Sequence, residues 1–152
     1  MQLAHYLGLL HRAEVTLADA FREVAEAHAD ESDVDHQCRR LAAQCDRHAR
    51  ELTAFADRYG EEQDDEPERL HSELFQGSRS GPLGLLRDLH DLYLMACESD
   101  ISWTLVGQAA QGARDIELHE LVGRCEGETA IQLKWLKSRM KEAAPQTLVV
   151  AG

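Results

Sequence analysis

Residues that can bind a metal ion interrupt the apolar stripe of each predicted helix near its middle. The clearest stripe steps by three or four residues from Val34 to Tyr59, and it places Cys45 and His48 among the interior positions. An ionisable group inside a core costs several kcal/mol unless it is hydrogen-bonded or bound to a cation. The pattern therefore predicts a buried polar layer, for which the candidates are Glu14, Cys45, His48, Glu98, Asp100, Cys125 and Glu128.

These candidates lie at matching depths along the chain. Counted from the turn near Glu31, Glu14 lies about as far back as Cys45 and His48 lie forward. In an antiparallel helix pair such positions meet at one level, because each residue advances a helix by about 1.5 Å. The same relation holds around Gly112 for the remaining four candidates, Glu98, Asp100, Cys125 and Glu128. We therefore expect all four helices to contribute to one layer.

The elements that must position this layer are four long helices. Ala, Leu, Glu, Arg and Gln dominate the long segments, and no stretch alternates at period two, so the sequence predicts an all-α protein. Capping and glycine signals place the helices at Gln2 to His28, Ser32 or Asp33 to Tyr59, Pro82 to Gln111, and Arg114 to Ala143. The short links within each pair predict two antiparallel hairpins.

The stretch 60–81 between the hairpins is long, acidic and rich in glycine, and Pro67 is placed to open a short helix within it. A helix of about 28 residues spans about 42 Å, whereas this stretch can reach roughly 70 Å when extended. It can therefore cross the whole bundle. We expect one four-helix domain over 1–144, followed by an apolar tail over 145–152 that packs on the body, contacts a second subunit or frays.

Two hairpins joined by one long crossover, with ligand candidates at mid-height, resemble the ferritin-like superfamily of diiron-carboxylate bundles. In that family the first and third helices each give a Glu, and the second and fourth each give Glu-x-x-His. Glu14 matches the first-helix ligand. The second helix has Cys45-Asp46-Arg47-His48, so the His matches and Cys replaces Glu. The fourth has Cys125-Glu126-Gly127-Glu128, in which Cys replaces Glu and Glu replaces His.

On the third helix, Glu98 is the residue type that the family uses, while Asp100 fits the predicted apolar stripe better. The resemblance implies a transition metal, iron in the family, and a role in oxidation or peroxide detoxification. Thiolates, however, select zinc and other thiophilic metals, whereas bridging carboxylates support oxygen chemistry at iron. The set Glu14, Cys45, His48, Cys125 and Glu128 offers suitable ligands for a single Zn²⁺. Whether the protein is an enzyme stays open.

Two other interpretations remain at the level of sequence. A hydrogen bond from His48 to Glu14 or Glu128 would satisfy the layer without a metal, and the site would then be vestigial. Alternatively, the chain is a non-catalytic helical bundle that acts through self-association, as a homodimer, or through partner binding. Metal content and oligomeric state distinguish these hypotheses.

Composition excludes several functional classes. Sixteen Lys and Arg against twenty-eight Asp and Glu give a net charge of −12, which argues against nucleic acid and anionic membranes as partners. No apolar run approaches the ~20 residues of a membrane span. The four cysteines lack C-x-x-C spacing, so we expect reduced thiols and a cytoplasmic protein. Phosphate-binding loops and the G-x-S-x-G motif are absent from the sequence.

Overall fold

The structure, a computed structural model, describes residues 2–60 and 75–150. These residues form four long α-helices and no strand, which confirms the predicted all-α class. The last helix continues into a short π-helical segment. The elements are α1 (Gln2–Ala27), α2 (Ser32–Tyr59), α3 (Gly81–Gly112), α4 (Ile116–Pro145) and the π-helix Gln146–Val150.

The four helices enclose a core that the polar layer divides into two apolar clusters. One cluster joins the start of α1 to the end of α2, the end of α3 and the start of α4, through Leu7, Leu52, Val106 and Leu118. The other joins the opposite helix ends, through Val24, Val34, Leu89 and Leu136. Each helix is therefore antiparallel to both of its neighbours, and α2 and α3 run in the same direction.

Because α2 and α3 run the same way, Gly60 and the start of α3 lie at opposite ends of the bundle. Most of the crossover expected over 60–81, including the short helix expected at Pro67, lies outside the described residues. Within the described part, Phe75 packs against the cluster that contains the start of α3.

The predicted inner stripes of α1 and α2 are confirmed, and the predicted stripe of α3 is confirmed in part, because the inner face is turned slightly from the predicted one. Of the predicted stripe, Leu89, Ala96 and Trp103 are fully buried, while Leu86, Tyr93 and Asp100 are half-buried. The inner face also includes the positions just before these three, Leu85, Leu92 and Ser99. Helix α3 carries apolar residues on nearly all sides, so periodicity alone does not identify its inner face. The turn leaves Asp100 at the edge of the inner face.

The turn between α3 and α4 ends in a well-formed cap. Arg114 adopts a left-handed conformation with φ 57°, and the Asp115 carboxylate accepts a hydrogen bond from the Leu118 amide at 3.0 Å. Although burial raises the pKa of Asp115, hydrogen bonds from Tyr59, the Leu118 amide and Arg58 outweigh it and lower that pKa. Helix α4 therefore begins at Ile116, two residues later than predicted.

A glycine of α3 allows a close contact between α3 and α4. A Cβ at Gly107 would lie 2.9 Å from Val122 Cγ1, so the helices approach closely there. Gly123 and Gly127 are exposed, and a Cβ at either would meet nothing within 4 Å. The close approach of α3 and α4 therefore occurs at Gly107 and does not involve these two glycines of α4.

The chain continues α4 into the π-helix, which contacts α3. Its side chains Leu148, Val149 and Val150 are exposed. The last two residues, 151 and 152, lie outside the described part of the chain. The tail thus lies against the body at one helix and leaves its apolar side chains uncovered.

Candidate polar layer at the centre of the bundle

Glu14 of α1 is the most deeply buried carboxylate of the layer, with 1% of its surface exposed. Its Oε1 accepts a hydrogen bond of 2.8 Å from the indole Nε1 of Trp103 on α3. Trp103 is fully buried, and a buried indole N–H normally requires an acceptor. The two residues therefore satisfy each other across the α1–α3 contact.

His48 of α2 lies between two carboxylates. Its Nδ1 is 3.5 Å from Glu14 Oε2, and its Nε2 is 3.2 Å from Glu128 Oε1 on α4. The edge of its ring faces Trp103, with the two ring centroids 5.7 Å apart. Within the described residues, Glu14 Oε2 and His48 Nδ1 are both buried without a hydrogen-bond partner.

Burial lowers the pKa of His48, but interactions with Cys125 and Glu14 outweigh burial and raise this pKa to about 10. These neighbours favour the protonated imidazole over the neutral one. The imidazole faces the Glu14 carboxylate on one side and the Glu128 carboxylate on the other.

Two buried thiols complete the layer. Burial raises the pKa of Cys45 well above its ordinary value, and the neighbouring Glu14 carboxylate raises it further. The Cys45 thiol also contacts the buried amide of Gln132, whose Nε2 lies 3.6 Å from the sulfur. Cys125 lies close enough to His48 to influence the pKa of the imidazole. Both cysteines are free and fully buried.

Glu128 connects this buried layer to the surface. Its Oε1 faces His48, while its Oε2 accepts hydrogen bonds from Gln44 Nε2 at 2.8 Å and from Arg47 at 2.6 Å. Gln44 in turn accepts a hydrogen bond of 2.7 Å from Gln132. The layer is thus closed on its α2–α4 side by polar side chains.

The candidates on α3 are not bonded to these groups in the described part of the chain. Among the described residues, no hydrogen bond or ion pair joins Glu98 or Asp100 to Glu14, His48 or Glu128. Burial raises the pKa of Asp100, and the charge of Glu126 raises it further. Burial also raises the pKa of Glu98. Of the polar groups on the predicted stripe of α3, Trp103 contacts Glu14, whereas Asp100 is half-buried at the edge of the inner face.

The structure also shows partners that the sequence analysis missed. Trp103 carried a signal that could have been used, because a buried indole N–H requires an acceptor nearby. Gln44 and Gln132 carried no recognisable signal, because glutamine is common on exposed helix faces. Arg47 lies within the Cys45 to His48 segment. Its pairing with Glu128 depends on the distance between α2 and α4, which the sequence does not show.

A second buried polar group lies outside the layer. His28 Nε2 is 2.8 Å from Asp88 Oδ2, and both side chains are buried. Asp88 also accepts hydrogen bonds from the backbone N–H of Arg79 at 2.9 Å and from its guanidinium at 2.8 Å. These hydrogen bonds hold the segment that leads into α3 against the helix. Gly84 allows the close contact, because a Cβ at this position would lie 2.9 Å from Arg79 Cβ.

The layer is not a preformed metal site in its present side-chain conformation. Across residues 2–60 and 75–150, no group of three or more His, Cys, Asp or Glu side chains has the arrangement required to hold an ion. The donor types nevertheless suit a thiophilic metal, since two thiols, an imidazole and a carboxylate come from three helices. A pair of bridged iron ions fits poorly, because Glu14 and Glu128 lie on opposite sides of the imidazole.

Comparison with known proteins gives no further assignment: no family model, no curated protein and no solved structure matches the chain. Within the described residues, no helix is both long and apolar enough to cross a membrane.

Proposed function

We propose that the chain is a divergent ferritin-like bundle whose central layer binds one thiophilic transition-metal ion. The ligands are Glu14, Cys45, His48 and Cys125, and zinc is the metal that this donor set favours. The ferritin-like assignment is supported by the parallel course of α2 and α3 and by the mid-height position of the polar layer.

The observation that carries the proposal is a pair of buried, unpartnered polar atoms that face each other. Glu14 Oε2 and His48 Nδ1 lie 3.5 Å apart, and neither has a hydrogen-bond partner among the described residues. A buried polar atom without a hydrogen bond lowers the stability of the folded protein unless a water molecule or an ion binds it. A small cation between them would satisfy both at once, and the side chains of Cys45 and Cys125 would have to move to join it.

Glu128 supports the site from outside the ligand set. A metal-bound histidine usually donates its second ring N–H to a carboxylate, which fixes the tautomer and the orientation of the ring. In this arrangement His48 binds metal through Nδ1 and donates through Nε2 to Glu128 Oε1, which is 3.2 Å away. Arg47 and Gln44 hold the other oxygen of Glu128 in place.

A bound zinc ion would supply a fixed positive charge and a tetrahedral link between helices. The residues must rearrange to provide it, because the thiols must lose their protons and the side chains must close around the ion. The oxidation or peroxide role that the family resemblance implies stays a prediction. Replacement of both expected bridging glutamates by Cys45 and Cys125 favours a structural or regulatory ion over oxygen chemistry.

Metal analysis of the purified full-length protein tests the proposal. We expect close to one equivalent of zinc, retained after dialysis under reducing conditions. Cys45→Ser and His48→Ala should each lose most of it, while Cys38→Ser should keep it, because Cys38 is equally buried but lies outside the layer. A metal-free wild-type protein that also fails to take up added Zn²⁺ refutes the proposal.

A second candidate function is self-association, and exposed apolar side chains favour it. Helix α3 exposes Leu94, Ile101 and Leu105 on one side, although the chain carries a net charge of −12. Patches of this kind often mark protein contacts. Light scattering distinguishes the outcomes: a dimer that Ile101→Glu converts into a monomer supports self-association, and a wild-type monomer at micromolar concentration rejects it.

A further inference from the structure

The contact between α2 and α4 differs in chemistry from the other helix contacts. Polar side chains bridge these two helices from end to end. From one end of the bundle to the other, the pairs are Asp33 with Arg139, Gln44 with Gln132, Arg47 with Glu128, Glu51 with Arg124, and Arg58 with Asp115 and Glu117. We call this row of pairs the α2–α4 seam.

The opposite side of the bundle is held more tightly. Helices α1 and α3 approach each other more closely along their length than α2 and α4 do, although all four helices contribute side chains to both apolar clusters. Exposed ion pairs contribute only about 0–1 kcal/mol each, whereas a buried leucine contributes about 1.5–3 kcal/mol. Separation of the helices at the α2–α4 seam is therefore the least costly way to open the bundle.

At the level of the polar layer, one pair of the seam stands directly in front of the candidate ligands. The Arg47 side chain is 44% exposed and the Glu128 side chain 22% exposed, while His48 behind them is fully buried. Glu128 contacts Arg47 with one oxygen and His48 with the other. A group that displaces Arg47 from Glu128 would thus reach the carboxylate that touches the buried imidazole.

We propose that Arg47 and Glu128 form the gate through which a metal cation reaches the central layer. This inference rests on the proposed metal site. The cation passes between α2 and α4, replaces the Arg47 guanidinium on the outer oxygen of Glu128, and moves inward to His48 and Glu14. The acidic surface of the protein favours the approach of cations. Arg47 holds the gate closed, and Glu128 is the first carboxylate that the ion contacts.

The rate of Co²⁺ uptake by the metal-free full-length protein tests the gate. Co²⁺ occupies zinc sites, and its bonds to thiolates produce an absorption band that stopped-flow mixing can follow under anaerobic, reducing conditions. Loss of one exposed ion pair should raise the population of the open state, so we expect Arg47→Gln to load roughly two- to five-fold faster than wild type. Circular dichroism verifies that each variant is folded.

Arg124→Gln provides the matched control. Arg124 pairs with Glu51 across the same seam about one turn away, and the exposures of these two side chains, 52% and 28%, resemble those of Arg47 and Glu128. Arg124→Gln removes the same positive charge, and because Arg47 and Arg124 both lie within 4.0 Å of Glu51, the two variants differ chiefly in the contact with Glu128. We expect uptake within about 1.5-fold of wild type, because the lost pair does not cover the layer.

The outcomes separate the two proposals. Faster uptake in Arg47→Gln together with near-wild-type uptake in Arg124→Gln supports the gate. Equal acceleration of both variants means that surface charge alone controls the uptake rate. An unchanged rate in Arg47→Gln means that opening of the Arg47–Glu128 pair does not limit uptake. Either result overturns the gate and leaves the metal site intact. A wild-type protein that develops no thiolate-to-cobalt band overturns the metal site itself.

Discussion

Replacement of Trp103 by Phe should expose how the layer stabilises the buried Glu14 carboxylate. The substitution removes the indole N–H that lies 2.8 Å from Glu14 Oε1. Because Glu14 Oε2 already lacks a hydrogen-bond partner among the described residues, Glu14 would lose the one hydrogen bond that it has there. A hydrogen bond to a charged group contributes about 1.5–3 kcal/mol, and the small cavity adds about 1 kcal/mol. We therefore expect the metal-free protein to lose about 2.5–4 kcal/mol of its free energy of unfolding.

Urea denaturation in the presence of a chelator measures this loss, and a double-mutant cycle isolates the hydrogen bond. Glu14→Met removes the acceptor but keeps a side chain of similar length. In that background Trp103→Phe should cost only the cavity term, so the coupling energy should be about 1.5–3 kcal/mol. Trp135→Phe, at a half-buried tryptophan packed against the other apolar cluster, controls for the loss of indole surface. A coupling energy below about 0.5 kcal/mol would refute the argument.

Two further substitutions test the helix cap and the helix contact. Asp115→Asn keeps the cap but removes the charge that Arg58 contacts, so it should cost about 1 kcal/mol at pH 7. The folded-state pKa of Asp115 is lowered, so this stability is present above the unfolded pKa and is lost as the pH falls through the folded pKa. The difference between wild type and Asp115→Asn in chemical denaturation should therefore shrink below about pH 4, and a pH-independent difference contradicts this. Gly107→Ala should destabilise the protein by about 1–3 kcal/mol, because the added Cβ meets Val122. Gly123→Ala should stabilise it by up to about 1 kcal/mol, because the added Cβ faces open space. Thermal unfolding measures both variants, and equal effects would contradict the packing account.

Much of the architecture could be predicted because the relevant signals are local. The stripes through Leu7 and Leu17 on α1 and through Val34 and Leu52 on α2 are strongly periodic, and these residues are buried in the structure. The convergence of Glu14 and His48 followed from rise per residue and an antiparallel turn. Such inferences need only helix geometry and the position of one connection.

The remaining features depend on the rotation and distance of helices, which sequence patterns do not fix. Helix α3 is apolar on most sides, so Asp100 and Trp103 both fitted the sequence pattern, and packing chose Trp103. The pairing of Glu128 with Arg47 requires a particular separation of α2 and α4. The bonding of Gln132 to Gln44 likewise arises from tertiary contact between residues that individually favour solvent.

X-ray absorption spectroscopy at the zinc edge tests the central claim most directly, because it reports the atoms bound to the metal. For the zinc-loaded protein we predict about two sulfur ligands near 2.3 Å and about two nitrogen or oxygen ligands near 2.0–2.1 Å. Cys45→Ser, if it retains zinc at high metal concentration, should show a single sulfur. A ligand shell of nitrogen and oxygen alone would contradict the account, because zinc bound in that way does not occupy the layer that contains Cys45 and Cys125.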